Sequence, residues 1–584
     1  MSVFARLAWF FRAQWRRYLT AIALLLVVAL LQLLPPRLVG SLIDRTLAEP
    51  GSLPSQWPWL AALAGIGLLI YLLRIGWRLQ LYGAAYYLAC QLRQRLFAQF
   101  LRLPLSRLGE DGTGDLMARA TNDVQAVEQT AGDGVLTLVD GLLMGTLVLV
   151  VLFQQYPAWL VLLALAPLPL MAWLLSRFGR RLHGRFGQAQ AAFGQLNNQC
   201  QEALTGIRVV KSYAVEPLTE RQFARHNRQA VDANLAVAQI EARFEPVIYL
   251  CIGGAYLLAI GGGGVMVAQG SLTVGQLTSF SLYLGQLIWP MFALAWLLNI
   301  IQKGSAAYGR IESLLALPPA LSAEAKPLPL PVGRRLQLVI RRHGPADAPW
   351  LQDINATLQP GQMLGLVGRS GAGKSTLLRL LLRFEDPSDG QLTLDAVPVS
   401  RLDEAQWRDQ LAYVPQEPFL FSTSIADNLA LGKPSASQAE LEAAARLACI
   451  HDEILAFPDG YATLVGERGI TLSGGQKQRL CLARALLRQA PILVLDDALS
   501  AVDTQTEQAI LGQLRQACAD RLLVVTSHRL CAVQGADEIL VLEQGRIRAR
   551  GRHSELLASL PWYHQLWEYQ SLQADLGLVE ETAL

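Results

Sequence analysis

Six stretches of this chain are apolar for long enough to cross a lipid bilayer, and all six lie before residue 300: roughly 18–46, 57–84, 134–155, 157–179, 244–268 and 275–300. A hydrocarbon layer of about 30 Å takes about 20 helical residues. Helices of soluble proteins keep a polar stripe, so six such segments in one half of a chain require a membrane-embedded helical bundle. The composition agrees, with 52% apolar and only 17% charged residues among 584. A net charge of +3 offers no electrostatic footprint for nucleic acid. The cysteines at 90, 200, 251, 449, 481, 518 and 531 form no C-x-x-C pair. Neither a zinc site nor a disulfide framework is indicated.

Basic residues set the expected orientation. Arg6, Arg12, Arg16 and Arg17 precede the first span, and the long connections 85–133 and 180–243 are rich in arginine. The short connections EPGSLPSQW, QQYPAW and AQGSLTVGQ carry no Lys or Arg. The positive-inside rule then places both termini in the cytoplasm; Arg37 and Arg45 run against the pattern without reversing it. The opening FARLAWFFRAQWRR reads as an interfacial amphipathic helix, with Trp9, Phe10, Phe11 and Trp15 at the lipid boundary. The two long connections keep helical spacing. The flanking spans are therefore expected to continue beyond the bilayer and to turn through short segments near 114–123 and 208–216.

Past residue 300 the pattern changes. A proline-rich stretch at 315–333 predicts an extended linker between a helical domain at 1–314 and a domain at 334–584. That last part alternates strands and helices, as α/β domains do. Within it, LGLVGRSGAGKSTLLRLLLR at 364–383 combines an apolar strand, G-x-x-x-x-G-K-S and an apolar helix. Gly368, Gly371 and Gly373, with Ser370 and Thr376 in the same loop, let backbone N–H groups close around phosphate oxygens at a helix N-terminus. Lys374 would reach the β- and γ-phosphates of ATP, and Ser375 would ligate Mg²⁺. Farther along, ILVLDDALSAVD at 492–503 puts Asp496 at the end of a buried strand, where a carboxylate can hold Mg²⁺ opposite Ser375. Between them, LSGGQKQRLCLARALL at 472–487 opens a second helix start, at Ser473. One nucleotide does not need two such sites, so this one is expected to face the nucleotide of another subunit.

Taken together, these residues resemble an ABC transporter of the exporter type: a half-transporter with six transmembrane helices followed by an α/β P-loop nucleotide-binding domain. LSGGQ at 472–476 resembles the family signature, lying between a Walker A and a Walker B motif. TGDLMARATNDV at 113–124 and LTGIRVVKSYAVE at 204–216 resemble coupling-helix regions. The resemblance implies roles by position. Gln416 in YVPQEPFLF would contact Mg²⁺ and report on the γ-phosphate, and VGERG at 465–469 would touch the coupling helices. Ser473, Gly475 and Gln476 would contact nucleotide, Asp503 would sit at a dimer seam, and His528 in VVTSHRL would contact the γ-phosphate.

Two departures stand out. The family places glutamate after the Walker B aspartate, and this chain has Asp497, whose carboxylate is about 1.5 Å shorter in reach. A misplacement near 1 Å can cost on the order of 100-fold in rate. The adenine-stacking aromatic of the family falls, counting back from LQPGQM, near His343. Both departures belong to the chain's own Walker site while the signature is intact. That asymmetry implies a heterodimer with a second, non-identical half-transporter, as in multidrug-resistance-like exporters of a bacterial inner membrane. In the membrane half, Trp289, Phe292 and Trp296 share one face of a helix kinked at Pro290, and Asp140 interrupts the third span. A cavity of that kind suits small amphipathic compounds. The rival readings are a homodimeric lipid or drug exporter, a siderophore importer on the same fold, and an ATP-gated regulatory membrane protein.

Overall fold

The computed structural model describes residues 3–48, 53–318, 321, 328–331, 333, 335–345, 347–466 and 472–582. The chain divides into a helical unit, Met1–Leu101 with Asp111–Leu317, and an α/β unit, Pro318–Leu584 with Arg102–Glu110. Residues 319, 320, 322–327 and 332 of the proline-rich stretch, and residues 467–469 of VGERG, lie outside the described residues.

Six described helices are long and apolar enough to cross a membrane: α1 (Trp15–Ala48), α2 (Gln56–Phe100), α3 (Gly112–Gln155), α4 (Ala158–Thr205), α5 (Glu216–Ala268) and α6 (Val274–Leu315). At 53 residues α5 extends about 80 Å, more than twice a hydrocarbon layer. The helices therefore overrun the bilayer as expected. The α4–α5 turn is a short helix, Ile207–Ser212, within the expected stretch. The other turn lies earlier than 114–123. The chain leaves the helix at Leu101–Pro104 and bends at Gly112, whose φ of 69° favours glycine. Residues Arg119–Asp123 and Thr130–Gly134 are instead π-turns inside α3, where the Thr130 hydroxyl reaches Ala126 O and Ile300 O of α6.

The seam between α1 and α6 shows how a broken helix survives among apolar neighbours. Helix α1 is interrupted at Leu33, just before Pro35 and Pro36. Pro36 lacks the N–H that would bond the carbonyl of Gln32, and the Gln286 amide of α6 donates to that carbonyl at 3.0 Å. Tyr283 donates to Leu33 O at 2.6 Å, and Ser279 to Pro36 O at 2.8 Å. Beyond them the backbones of Gly40 and Gly275 touch, leaving no room for a Cβ on either. Asp44 then accepts the Gly275 N–H at 2.7 Å and the Thr273 hydroxyl at 2.6 Å, capping the start of α6. Arg45 lies 4.3 Å over the Trp59 ring, which accounts for a cation at this end of the span.

The N-terminal segment departs from the interfacial reading. Leu7 and Phe10 are buried, Trp9 donates to the Tyr308 hydroxyl, and Arg6 pairs with Glu312. Of the four aromatics proposed for lipid, Trp15 is the one with a largely exposed ring.

The α/β unit holds strands β1 (Leu336–His343), β2 (Leu351–Leu358), β3 (Met363–Gly368), β4 (Asp389–Leu394), β5 (Val397–Pro398), β6 (Leu411–Val414), β7 (Ile492–Asp496), β8 (Leu522–Thr526), β9 (Glu538–Glu543) and β10 (Arg546–Gly551). A four-stranded antiparallel sheet has the order β2–β1–β4–β5; a six-stranded sheet has the order β10–β9–β3–β8–β7–β6. Strands β9, β3, β8, β7 and β6 are mutually parallel. Strands β3, β7 and β8 are buried throughout, as their unbroken apolar runs require. Helices α7 (Lys374–Leu381), α8 (Gly474–Leu487), α9 (Thr504–Ala517) and α10 (Pro561–Thr582) complete the parts that bear on the site.

Candidate functional site

In a parallel sheet the loops leaving the carboxyl ends of neighbouring strands share one edge, where ligands bind. The phosphate loop follows β3, Gln416 lies two residues past β6, Asp496 ends β7, and His528 lies two residues past β8. All open into one cavity of about 380 Å³, lined also by Ser370, Gly371, Gly373, Lys374, Ser375, Thr376 and Asp497. The structure thus brings together residues that are more than 150 positions apart in sequence. Gly371 and Gly373 take φ of 79° and 100°; a Cβ on Gly373 would also collide with Leu351. Lys374 donates to the carbonyls of Gly368 and Arg369 at 2.7 and 3.2 Å, so the ammonium is parked on the loop that it would leave for a phosphate. Burial holds its pKa below the usual value, opposed by the charges of Asp497 and Asp496.

The two adjacent aspartates hang on one residue. Thr526, at the end of β8, donates its hydroxyl to Asp496 Oδ1 at 2.7 Å. Its carbonyl and its hydroxyl oxygen each lie 3.0 Å from the Asp497 N–H. Asp497 itself sits in the left-handed region at φ 46°, a conformation Asp tolerates better than most L-residues. Burial pushes the Asp496 carboxyl above its ordinary value; Thr526 opposes this and the Asp497 charge adds to it. Tyr413 is pushed up to about 12, by burial first and Asp496 second. Asp496, the Ser375 hydroxyl and the Gln416 amide are hard oxygen donors around one cavity. That donor set suits Mg²⁺, which takes one or two protein oxygens and fills its shell with water and phosphate.

His343 does not line the cavity. Its ring is buried, 5% exposed, with Nε2 3.7 Å from Glu385 and its edge against Trp350. Trp350 is the aromatic on the cavity rim, half exposed, its N–H bonded to His343 O at 2.8 Å across the β1–β2 connection. A large indole face next to the phosphate loop is the better stacking platform. Its signal in the sequence was an aromatic directly before the apolar β2. Arg379 of α7, Ser527 and Thr526 also line the cavity and were not singled out in the sequence.

The signature residues lie elsewhere in the α/β unit; none lines this cavity among the described residues. Ser473 caps α8 in a capping box with Gln476, and Gln476 spends its remaining donor on Glu453 at 3.0 Å. Gly475 packs its Cα on the carbonyl of Ala501, where a Cβ would intrude. Gln478 bridges α8 to the loop after β7 through Ser500 Oγ and the Ala501 N–H. Asp503 caps α9 by accepting the Thr506 N–H at 2.9 Å, which holds its carboxyl below the usual range. In the helical unit, Trp289, Phe292 and Trp296 share a cavity of about 450 Å³ with Ala293 and Asn299. Asp140 lies beside Trp289 and within electrostatic reach of Arg74, but does not line that cavity.

Comparison with known proteins decides the family. Residues 18–291 match the model of the ABC transporter transmembrane region, and residues 351–500 match that of the ABC transporter. The chain is 49% identical to the multidrug resistance-like ATP-binding protein MdlA of Escherichia coli (strain K12), over 99% of this chain and 98% of that protein. The chain belongs to the ABC transporter family. This ABC transporter is also 38% identical to a probable multidrug resistance ABC transporter ATP-binding/permease protein, YheI, of Bacillus subtilis (strain 168), covering 98% of each chain. Against an ATP-dependent lipid A-core flippase of Syntrophus aciditrophicus the identity is 32%, over 99% of this chain and 96% of the other. Among solved structures, a bacterial Atm1-family ABC exporter with ATP bound superposes with a TM-score of 0.77 and 27% identity, over 95% of this chain and 99% of that one. The ABC transporter described here is accordingly a multi-pass membrane protein with the exporter fold, an ATP-binding domain and the ATPase activity of its family.

Proposed function

We propose that this chain is one half of a heterodimeric exporter whose own Walker site holds ATP longer than it cleaves it. One observation carries the reading: Asp497 lines the phosphate cavity where the family expects a longer carboxylate, while the Ser473 helix start is complete and lies outside that cavity. A partner with glutamate after its Walker B aspartate would place its nucleotide against this chain's Ser473 and Gly475. Fast hydrolysis would occur there. Asp497 orients water poorly at the other site, and His528 faces the γ-phosphate of the ATP retained. Ser375, Asp496 and Gln416 would hold Mg²⁺, whose charge would offset that of the phosphates.

Closure of two nucleotide domains would drive the long helices and turn the membrane cavity outward. The Trp289, Phe292 and Trp296 face, with Asp140 beside it, suits amphipathic and cationic compounds or lipids. The names of the multidrug and flippase relatives point the same way. Arginine-rich connections support a bacterial inner-membrane orientation with both termini cytoplasmic. The test is to purify the chain alone and with a co-expressed glutamate-bearing half-transporter. A large gain in ATP turnover on pairing is expected, and equal rates would end the heterodimer reading.

A further inference from the structure

His528 lines the nucleotide cavity from the three-residue loop 527–529, between β8 and a 3₁₀ turn at Leu530–Ala532, and that segment is held from outside the sheet. Gln570 on α10 donates through Nε2 to the carbonyl of His528 at 2.8 Å and accepts through Oε1 the N–H of Leu530, also at 2.8 Å. One side-chain amide thus grips the backbone on both sides of Arg529. The Arg529 side chain points the other way. It pairs with Glu507 at 2.7 Å and bonds the carbonyls of Val502 and Ser500 at 3.2 and 3.4 Å. Glu507 is 1% exposed, so this anchor is fixed in the core. Leu530 is fully buried, and its N–H is satisfied by Gln570.

Helix α10 is itself firmly seated. Tyr563 is fully buried and hydrogen-bonds His553 Nδ1 at 2.8 Å. Leu566 and Trp567 pack on the same apolar cluster that contains Leu530, Ala532 and Val533. The position of the His528 backbone is therefore referenced to the C-terminal helix, and through Arg529 to the Ser500–Val502 loop beside Asp497.

We propose that Gln570 is a positioning residue for His528, which makes the C-terminal helix a working part of the nucleotide site. The inference rests on the reading that His528 faces the γ-phosphate of ATP held in this cavity. Without the amide grip the 528–530 backbone is free to drift, and the imidazole no longer meets that phosphate. ADP carries no γ-phosphate, so its binding does not depend on the grip.

The test uses the full-length transporter in lipid nanodiscs, with photo-crosslinkable azido-ATP and azido-ADP to follow label retained on this chain. Gln570→Ala removes both bonds. Gln570→Glu keeps an oxygen for Leu530 N–H but replaces the donor to His528 O with a carboxylate oxygen that repels it. Each is expected to shorten ATP retention about three- to tenfold, the worth of one or two hydrogen bonds, with ADP retention unchanged. On a His528→Ala background neither should shorten it further, since coupled residues are not additive. Unchanged ATP retention, equal loss of ATP and ADP, or full additivity with His528→Ala would overturn the proposal. If His528→Ala alone leaves ATP retention intact, the reading of His528 falls and takes this proposal with it. If His528→Ala shortens retention and the Gln570 variants do not, this proposal alone falls.

Discussion

The Thr526 hydroxyl donates to Asp496 Oδ1 at 2.7 Å, and its oxygen lies 3.0 Å from the backbone N–H of Asp497. A single β-branched residue at the end of β8 therefore holds the carboxylate that ends β7 and the backbone of the aspartate that follows it. Thr526→Val keeps the shape and removes the donor. A hydrogen bond to a charged group contributes about 1.5–3 kcal/mol, so Mg²⁺-dependent ATP affinity should fall about tenfold or more. Titration of ATP at fixed Mg²⁺ reads the loss, and an unchanged affinity would separate Thr526 from the metal-binding geometry.

Asp497 gives a prediction of opposite character. On the proposed heterodimer, whose fast site would lie on the partner's Walker motifs, Asp497→Asn should leave turnover of the assembled transporter within about twofold. Asp497→Glu restores the missing reach and should raise turnover by up to about 100-fold at this site, read in single-site trapping. A collapse of turnover in Asp497→Asn would place the hydrolysis here instead.

The pH dependence follows from the raised carboxyl of Asp496. Mg²⁺ needs the ionised form, so Mg²⁺-dependent ATP binding should weaken as pH falls, beginning above the ordinary carboxylate range. The Asp497 charge helps raise that carboxyl. Its removal in Asp497→Asn should move the onset to lower pH. Stability of the ligand-free domain carries the other sign: a carboxyl whose folded pKa is raised contributes at low pH and loses that contribution as pH rises through the shifted range. Binding curves and thermal melts across the same pH series check both signs.

We expect Trp350 on the cavity rim, rather than the buried His343, to stack on adenine. Trp350→Ala should weaken ATP binding about tenfold, since aromatic–base stacking contributes about 1–3 kcal/mol. His343→Ala should leave ATP affinity within about twofold and act on stability, as a truncated buried side chain does. If the His343 variant is the one that loses ATP, the adenine role returns to His343.

The seam between α1 and α6 predicts a stability effect far from any nucleotide. Asp44→Ala removes the acceptor for the Gly275 N–H and the Thr273 hydroxyl at the start of α6 and should cost about 0.5–2 kcal/mol, typical of a lost helix cap. Gly275→Ala should cost more, because its Cβ would meet the Gly40 carbonyl and force two helices apart. Detergent-solubilised thermal unfolding ranks the two.

Much of the nucleotide site was legible because its parts are local. The phosphate loop, Asp496 and His528 each carry strand, turn and helix signals within a dozen residues, and a parallel sheet leaves their loops one shared edge. What escaped depended on distant chain. Trp350 was missed because a fixed count back from β2 assumes a connection length, and the β1–β2 loop brings the later residue to the rim. The turn near Gly112 was placed too late because two π-turns in α3 dilute its helical spacing. Gln570 left no trace at all: a polar residue on a C-terminal helix gains meaning only from the backbone it grips, 42 positions away.

The contact between Asp44 and Gly275 joins residues 231 positions apart. At ribosomal speeds of about 5–20 residues per second, the first helix waits on the order of ten to fifty seconds in lipid before that partner is made. During that wait the carbonyls freed by Pro35 and Pro36 have none of the donors that α6 later supplies. The proline pair that shapes the finished seam therefore leaves the first span incomplete until α6 is made.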